Sequence, residues 1–404
     1  MLKAAMELHF ETITLLLLIA AVVAMLTRRL RLPYSVGLVA AGIALTFLPH
    51  APHLELTHDL LFTALLPPLL FEAALDLDWP RLRRNAPVIL TLVTVGVVIA
   101  AALTASGVHG LLGWPWASAI LFGVLIAATD PVSVVATFKE AKATGRLPLL
   151  IESESLLNDG TAAVLFTVAL TFAAGQAMTP WGATVLLVKA VGGGLLCGVV
   201  VGLGALALVG RTEDHLVEIT LTTIAAYGSF FLADALGVSG VLATIAAGLT
   251  VGNVQALGVI SPKGREAVEA FWEYAAFLSN SLIFLLIGMH EAERNFGAAW
   301  GAAVVGILLV TVSRAATVYP CCLLFAGSHW RVSLKHQHAL VWGGLRGALA
   351  LALALSLPED LPCREPIITL SFAVVAFSVF VQGLTMRPLL GRIGELPGPE
   401  PTQK

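Results

Sequence analysis

The chain has 404 residues, 58% hydrophobic and only 12% charged, with a formal net charge of −3. A soluble domain carries about a quarter charged residues, and one this apolar would expose large adhesive patches in water, so composition excludes an ordinary soluble protein. The same composition suits a chain whose outer surface faces lipid, and neither a nucleic-acid partner nor a cofactor is expected.

A membrane span needs roughly 20 residues. Apolar runs between charged or Gly/Pro-rich breaks predict thirteen helices, near 10–27, 34–49, 58–75, 85–107, 116–139, 153–175, 182–209, 213–235, 238–252, 266–289, 296–326, 336–357 and 365–390. The approach to the first span holds Lys3, Glu7, His9 and Glu11 and lacks the pattern of a signal peptide. The third span carries Glu72. The fifth is interrupted by Thr129-Asp130-Pro131. The sixth opens on Glu152-Ser153-Glu154-Ser155 and continues through Asn158-Asp159. Lys189 in the seventh is placed to snorkel, and Asp234, beside the eighth-to-ninth split at Gly237, reads as a wet helix end. Glu273, next to Trp272, reads as interfacial. The eleventh carries Arg314, and the twelfth is interrupted at Gly343-Gly344-Leu345-Arg346-Gly347. The run 391–404 is expected to be a short cytoplasmic tail with no regulatory domain after it. The four cysteines show no CxxC spacing and are expected to be free, buried thiols.

Basic residues set the orientation. With the N-terminus outside and the C-terminus inside, seventeen of the 23 Lys and Arg fall on the inner side. They include Arg28, Arg29, Arg31, Arg81, Arg83, Arg84, Lys139, Lys142, Arg146 and Lys404. Outside lie Lys3, Arg294 and Arg364; within spans lie Lys189, Arg314 and Arg346. One missed helix would invert every later loop and destroy this split.

Ionisable residues at bilayer depth are functional candidates. Pro131 removes a backbone donor and pushes Asp130 out of helical geometry. A helix broken there is tolerated only where it faces protein or water. The break exposes two half-helix ends of opposite partial charge, and Asp130 can offset the positive one. In the sixth span Ser155 and Asp159 share a helix face at i, i+4, with Asn158 beside it. Hydroxyl, carboxylate and amide make a site of hard oxygens suited to an alkali cation. Glu152 and Glu154 also fit acidic capping residues at a helix start. The breaks fall in the fifth helix of the first six and the fifth of the last six. That placement predicts two six-helix inverted repeats joined by one linker helix, with the broken helices crossing at the midplane and Asp130 and Arg346 at opposite helix-end charges.

The chain resembles the bacterial NhaP and animal NHE branch of sodium:proton antiporters. The resemblance rests on Thr129-Asp130-Pro131-Val132, on Glu154-Ser155-Leu156-Leu157-Asn158-Asp159-Gly160 and on Gly343-Gly344-Leu345-Arg346-Gly347. It extends to Phe277 through Gly288 and to Pro67 through Glu72. It implies an all-α, NhaA-like fold and a homodimer in a bacterial inner membrane. Residues 58–175 and 266–357 would form the moving core, and 10–49, 182–252 and 365–390 the dimerisation scaffold. It implies that Asp159 binds cation or proton in turn, with Asn158, Ser155, Thr129, Asp130 and Glu72 lining the site. Of these, Asp159, Ser155, Thr129 and Glu72 would hold Na⁺, with Li⁺ and K⁺ as alternative cations. It also implies that Glu154 pairs with a membrane arginine, for which Arg314 and Arg346 are both candidates. One titrating carboxylate predicts one H⁺ per cation and an electroneutral cycle, with Asp130 structural. A cation channel, a proton-coupled solute transporter and an intramembrane enzyme compete with this reading. No carbonyl filter loop, HExxH or GxSxG is present, and Ser155 has no nearby histidine.

Overall fold

The computed structural model describes residues 2–30, 32–47, 56–140, 143, 145–175, 179–212, 214–255, 260–293 and 296–396. Arg31, Lys142, Arg294 and tail residues 397–404, with Lys404, lie outside them. The described residues form fifteen helices and no strand. They are α1 Leu2–Leu30, α2 Tyr34–Leu45, α3 Leu60–Leu75, α4 Trp79–Leu112, α5 Trp116–Leu125, α6 Val132–Glu140, α7 Arg146–Ala173 and α8 Pro180–Val209. Then follow α9 His215–Ala235, α10 Gly240–Gln255, α11 Pro262–Glu293, α12 Phe296–Leu323, α13 Leu334–Trp342, α14 Ala348–Leu355 and α15 Arg364–Ile393. Eight are long and apolar enough to cross a membrane, and four more are short and apolar. Large apolar side chains such as Leu18, Leu196 and Val312 point outward, as a lipid-covered surface requires.

Helix lies at every segment expected from the sequence, with instructive differences at the ends. The fourth starts at Trp79 rather than 85, because the Asp78 side chain accepts from the Arg81 N–H and Pro80 occupies the first turn. The sixth starts at Arg146 rather than 153. Glu152 and Glu154 therefore lie inside α7, and the capping explanation for them fails. The fifth and twelfth segments are each two helices, α5–α6 and α13–α14. The split between α9 and α10 does fall at Gly237, whose φ is +64°. All four cysteines are free, and only Cys363 is not fully buried.

The helices pack in two groups. In one, α4 lies against α5 and α12, α7 against α5, and α15 against α12 and α14. In the other, α8, α9 and α10 pack together, α10 against α3, and α11 against α2, α3 and α9. Segments 58–75 and 266–289, expected in the core, lie on α10 and on α2, and 365–390, expected in the scaffold, lies on α12. Apolar spans look alike in sequence, and only tertiary contact assigns their neighbours.

One polar knot ties the first group together. Arg146, at the start of α7, donates from Nε to Asn85 Oδ1 of α4 at 2.8 Å. Its other nitrogens donate to the carbonyls of Arg331 (2.6 Å) and Trp330 (2.7 Å), and Trp330 Nε1 donates to the Arg84 carbonyl at 2.9 Å. Hydrogen bonds from a charged group contribute about 1.5–3 kcal/mol. Arg146→Ala is expected to destabilise the protein by about 2 kcal/mol, read as a lower Tm for detergent-purified protein; an unchanged Tm would show that the knot contributes nothing.

Candidate ion-binding site

The site is built where two helices stop. α5 ends at Leu125 and α6 begins at Val132; α13 ends at Trp342 and α14 begins at Ala348. Each stop strands backbone groups that a continuous helix would satisfy. The two breaks meet and satisfy one another. The Asp130 N–H donates to the Leu345 carbonyl at 2.8 Å. Arg346 Nη1 donates to the carbonyls of Ala127 (2.9 Å) and Ala128 (3.1 Å) beyond the C-terminal end of α5. The Asp130 carboxylate accepts from the Val132 N–H (3.1 Å) and the Ala348 N–H (3.4 Å), at the starts of α6 and α14. Cation thus sits on the negative end and carboxylate on two positive ends. Gly347 is required by this contact, because a Cβ there would collide with the Asp130 carboxylate.

α7 passes alongside the first break. Asn158, fully buried, accepts from the Thr129 N–H at 3.1 Å and donates from Nδ2 to Thr129 Oγ1 (2.6 Å) and Glu154 Oε1 (3.2 Å). Ser155 Oγ donates to the Thr129 carbonyl at 2.6 Å. Glu154, four residues before Asn158, faces Arg314 of α12 in a two-pronged pair with both N–O distances 2.8 Å. Arg314 also donates to the Leu340 carbonyl at 3.0 Å. The two side chains are only 3% and 9% exposed, so the pair is held away from water.

A cavity of about 300 Å³ opens beside these groups, between α3 and α11 on one wall and α6, α7 and α14 on the other. Thr129, Asp130, Ser155 and Asp159 line it together with Glu72, Lys139, Glu152 and Glu273. Lys139 Nζ lies 3.3 Å from Glu72 Oε1 and 3.0 Å from Asp76 Oδ2. Five carboxylates and one ammonium give the cavity a strongly negative lining. Asp159 Oδ1 is buried and, among the described residues, has no hydrogen-bond partner. A buried acceptor left unsatisfied is costly, and here it stands beside a cavity wide enough for an ion.

The family described as sodium/hydrogen exchanger, transmembrane, matches residues 15–392. The chain is 36% identical to the Na⁺/H⁺ antiporter NhaG of Bacillus atrophaeus, over 96% of this chain and 76% of that one. It is 35% identical to the Na⁺/H⁺ antiporter NhaP of Pseudomonas aeruginosa, over 93% of this chain and 96% of that one. The chain belongs to the sodium/hydrogen exchanger family. This family member is an integral, multi-pass membrane protein and not an enzyme. Its fold also matches the sodium proton antiporter MjNhaP1 of Methanocaldococcus jannaschii, with TM-score 0.78 at 18% identity over 97% of this chain and 99% of that one.

Within this exchanger-family fold most of the sequence-derived residues converge. Asp159, Ser155, Thr129, Asp130 and Glu72 all line one cavity. Asn158, expected beside the ion, is instead outside the cavity lining, with its amide engaged by Thr129 and Glu154. Of the two candidate arginines, Arg314 pairs with Glu154, while Arg346 holds the carbonyls of the break. Glu273, expected to be merely interfacial, lines the cavity, as do Lys139 and Glu152, whose positions near segment ends gave no such signal. Lys189 and Asp234 are exposed, as expected of snorkelling and wet-end residues.

Removing one partner of a buried pair leaves a naked charge and destabilises by about 3–5 kcal/mol. Glu154→Gln is expected to lower Tm on that scale, and adding Arg314→Gln to it to recover part of the loss. A Glu154→Gln protein with wild-type Tm would contradict the pairing.

Proposed function

We propose that the chain exchanges Na⁺ for H⁺ across a bacterial inner membrane, with Asp159 as the one carboxylate that both ions occupy in turn. The observation that carries this is the unpartnered, buried Asp159 Oδ1 beside the acidic cavity. Na⁺ would enter past Glu273, Glu152 and Glu72 and meet Asp159, Ser155 and Thr129. These are hard oxygen donors, which suit an alkali cation. A proton on Asp159 removes the charge that holds the cation, so the two ions exclude each other.

The cycle follows from the energetics of an empty site. An ionised, unpaired carboxylate is expensive to carry through a low-dielectric barrier. Only the Na⁺-loaded or protonated site would cross, and that restriction enforces exchange. The Glu154 carboxylate is held by Arg314, and the Asp130 carboxylate by backbone N–H groups. Neither is free to accept a transported ion, so one H⁺ per Na⁺ and an electroneutral cycle are expected.

The proposed architecture has thirteen spans, with α5–α6 and α13–α14 each counted once, the N-terminus outside and the C-terminus inside. Spans four to six and eleven to thirteen occupy equivalent places in two inverted six-span repeats, and these are the helices that pack as the first group. That group would move as the ion-carrying body against a scaffold of α1–α3 and α8–α11, through which two copies would dimerise. In this orientation the cavity opens to the cytoplasm.

Two measurements test the proposal. Asp159→Asn in proteoliposomes is expected to abolish Na⁺-driven proton movement while leaving Tm near wild type; retained exchange would end it. In the wild type, the half-saturating Na⁺ is expected to rise by about tenfold per pH unit toward acid, as one-for-one competition requires, and an imposed membrane potential should drive no net exchange. A half-saturating Na⁺ independent of pH would show that the two ions do not share a seat.

A further inference from the structure

A second cavity, about 560 Å³, lies away from the ion site, between the two packing groups. Leu82, Ala86, Ile89 and Leu90 of α4 and Leu157 of α7 form one side. Leu195 and Val199 of α8 and Ile245, Ala246 and Leu249 of α10 form the other. Its volume falls in the range of about 300–1,000 Å³ typical of ligand sites. Leu90, Leu195 and Val199 are also exposed on the outer surface, so the groove opens sideways toward hydrocarbon.

Its lining offers nothing to water. Thr250 Oγ1 donates to the Ala246 carbonyl of its own helix at 2.7 Å. Asn253 is engaged by the carbonyls of Leu77 (3.0 Å) and Leu249 (2.8 Å) and by the Trp79 N–H (2.8 Å). A buried water needs two to four polar partners, and the groove has none to spare. Among the described residues, the one charged lining residue is Arg83. It is exposed, and among the described residues no carboxylate pairs with it. Beside it lies Trp79, half-exposed as an aromatic at a membrane interface would be. The groove is therefore amphipathic along its length, apolar within the span and cationic where the span begins.

We propose that this groove seats an acyl chain of an anionic phospholipid from the adjoining leaflet, with the lipid phosphate on Arg83. Charge complementarity selects an anionic headgroup, and the dry apolar wall selects a hydrocarbon tail. Arginine suits the role because its guanidinium donates two parallel hydrogen bonds to phosphate. Leu157 immediately precedes the Asn158-Asp159 pair, so the seated tail touches the ion-site helix on the side opposite its cavity. The lipid would also fill the seam between the two helix groups.

The test uses the full chain in detergent, loaded with equal fractions of phosphatidylglycerol and phosphatidylcholine and analysed by native mass spectrometry. Wild type is expected to retain phosphatidylglycerol in preference. Arg83→Gln should lower that retention roughly fivefold, the weight of one basic residue at an anionic surface, and Arg83→Lys should keep most of it. Ala86→Phe, which fills the groove from α4, should displace the lipid whatever its headgroup. Equal retention of both lipids by wild type would overturn the proposal. So would unchanged phosphatidylglycerol retention in Arg83→Gln, which leaves only a shell of bulk lipid. Arg83 is exposed, so this variant keeps the test decisive even where Ala86→Phe fails to fold.

Discussion

A helix interrupted inside a bilayer leaves backbone donors and acceptors that hydrocarbon cannot satisfy, and the site is organised around meeting that demand. Each interruption supplies what the other lacks. The Leu345 carbonyl takes the Asp130 N–H, Arg346 takes the carbonyls of Ala127 and Ala128, and the Asp130 carboxylate takes the N–H groups of Val132 and Ala348. Two opposite side-chain charges are neutralised by helix ends rather than by each other. This explains why an aspartate and an arginine are tolerated at this depth.

The crossing in turn fixes the segment that α7 reads. Thr129 is held by Asn158 on both its backbone N–H and its hydroxyl, and by Ser155 on its carbonyl. Asn158 also reaches Glu154, and Glu154 reaches Arg314 on α12. A chain of hydrogen bonds therefore runs from the break through α7 to α12. Asp159 is the member of this neighbourhood left without a protein partner on its buried oxygen. An acidic cavity beside an unsatisfied carboxylate is what a cation binder needs.

Much of this was legible in the sequence, for identifiable reasons. Proline after aspartate in an apolar run marks a break whatever the neighbours are, and glycines around Arg346 mark the second. The i, i+4 spacing put Ser155 and Asp159 on one face, and both do line the cavity. Other features depend on contacts between distant segments. Arg314 and Arg346 are each a lone cation in an apolar span, and only the folded path of α12 brings Arg314 to Glu154. Asn158 is one residue from the Asp159 face, and one residue turns a helix by about 100°, enough to aim it at the break instead. Lys139, Glu152 and Glu273 sit near segment ends, where charge is ordinary, so nothing local distinguished them. The neighbours of α3, α11 and α15 were not legible, because adjacency along the chain is a poor guide where every helix is apolar.

Leu157, Asn158 and Asp159 are three successive residues of one turn, and they face three different surroundings: an apolar groove, a hydrogen-bonded crossing and an acidic cavity. A rigid turn cannot shift one of these side chains alone. A rotation of α7 that drew Asp159 back from its cavity would swing the asparagine off Thr129 and drive the leucine against its opposite wall. Ion occupancy, the integrity of the crossing and the state of the apolar seam are thus geared to a single rotational coordinate. A disturbance at any one of the three should register at the other two.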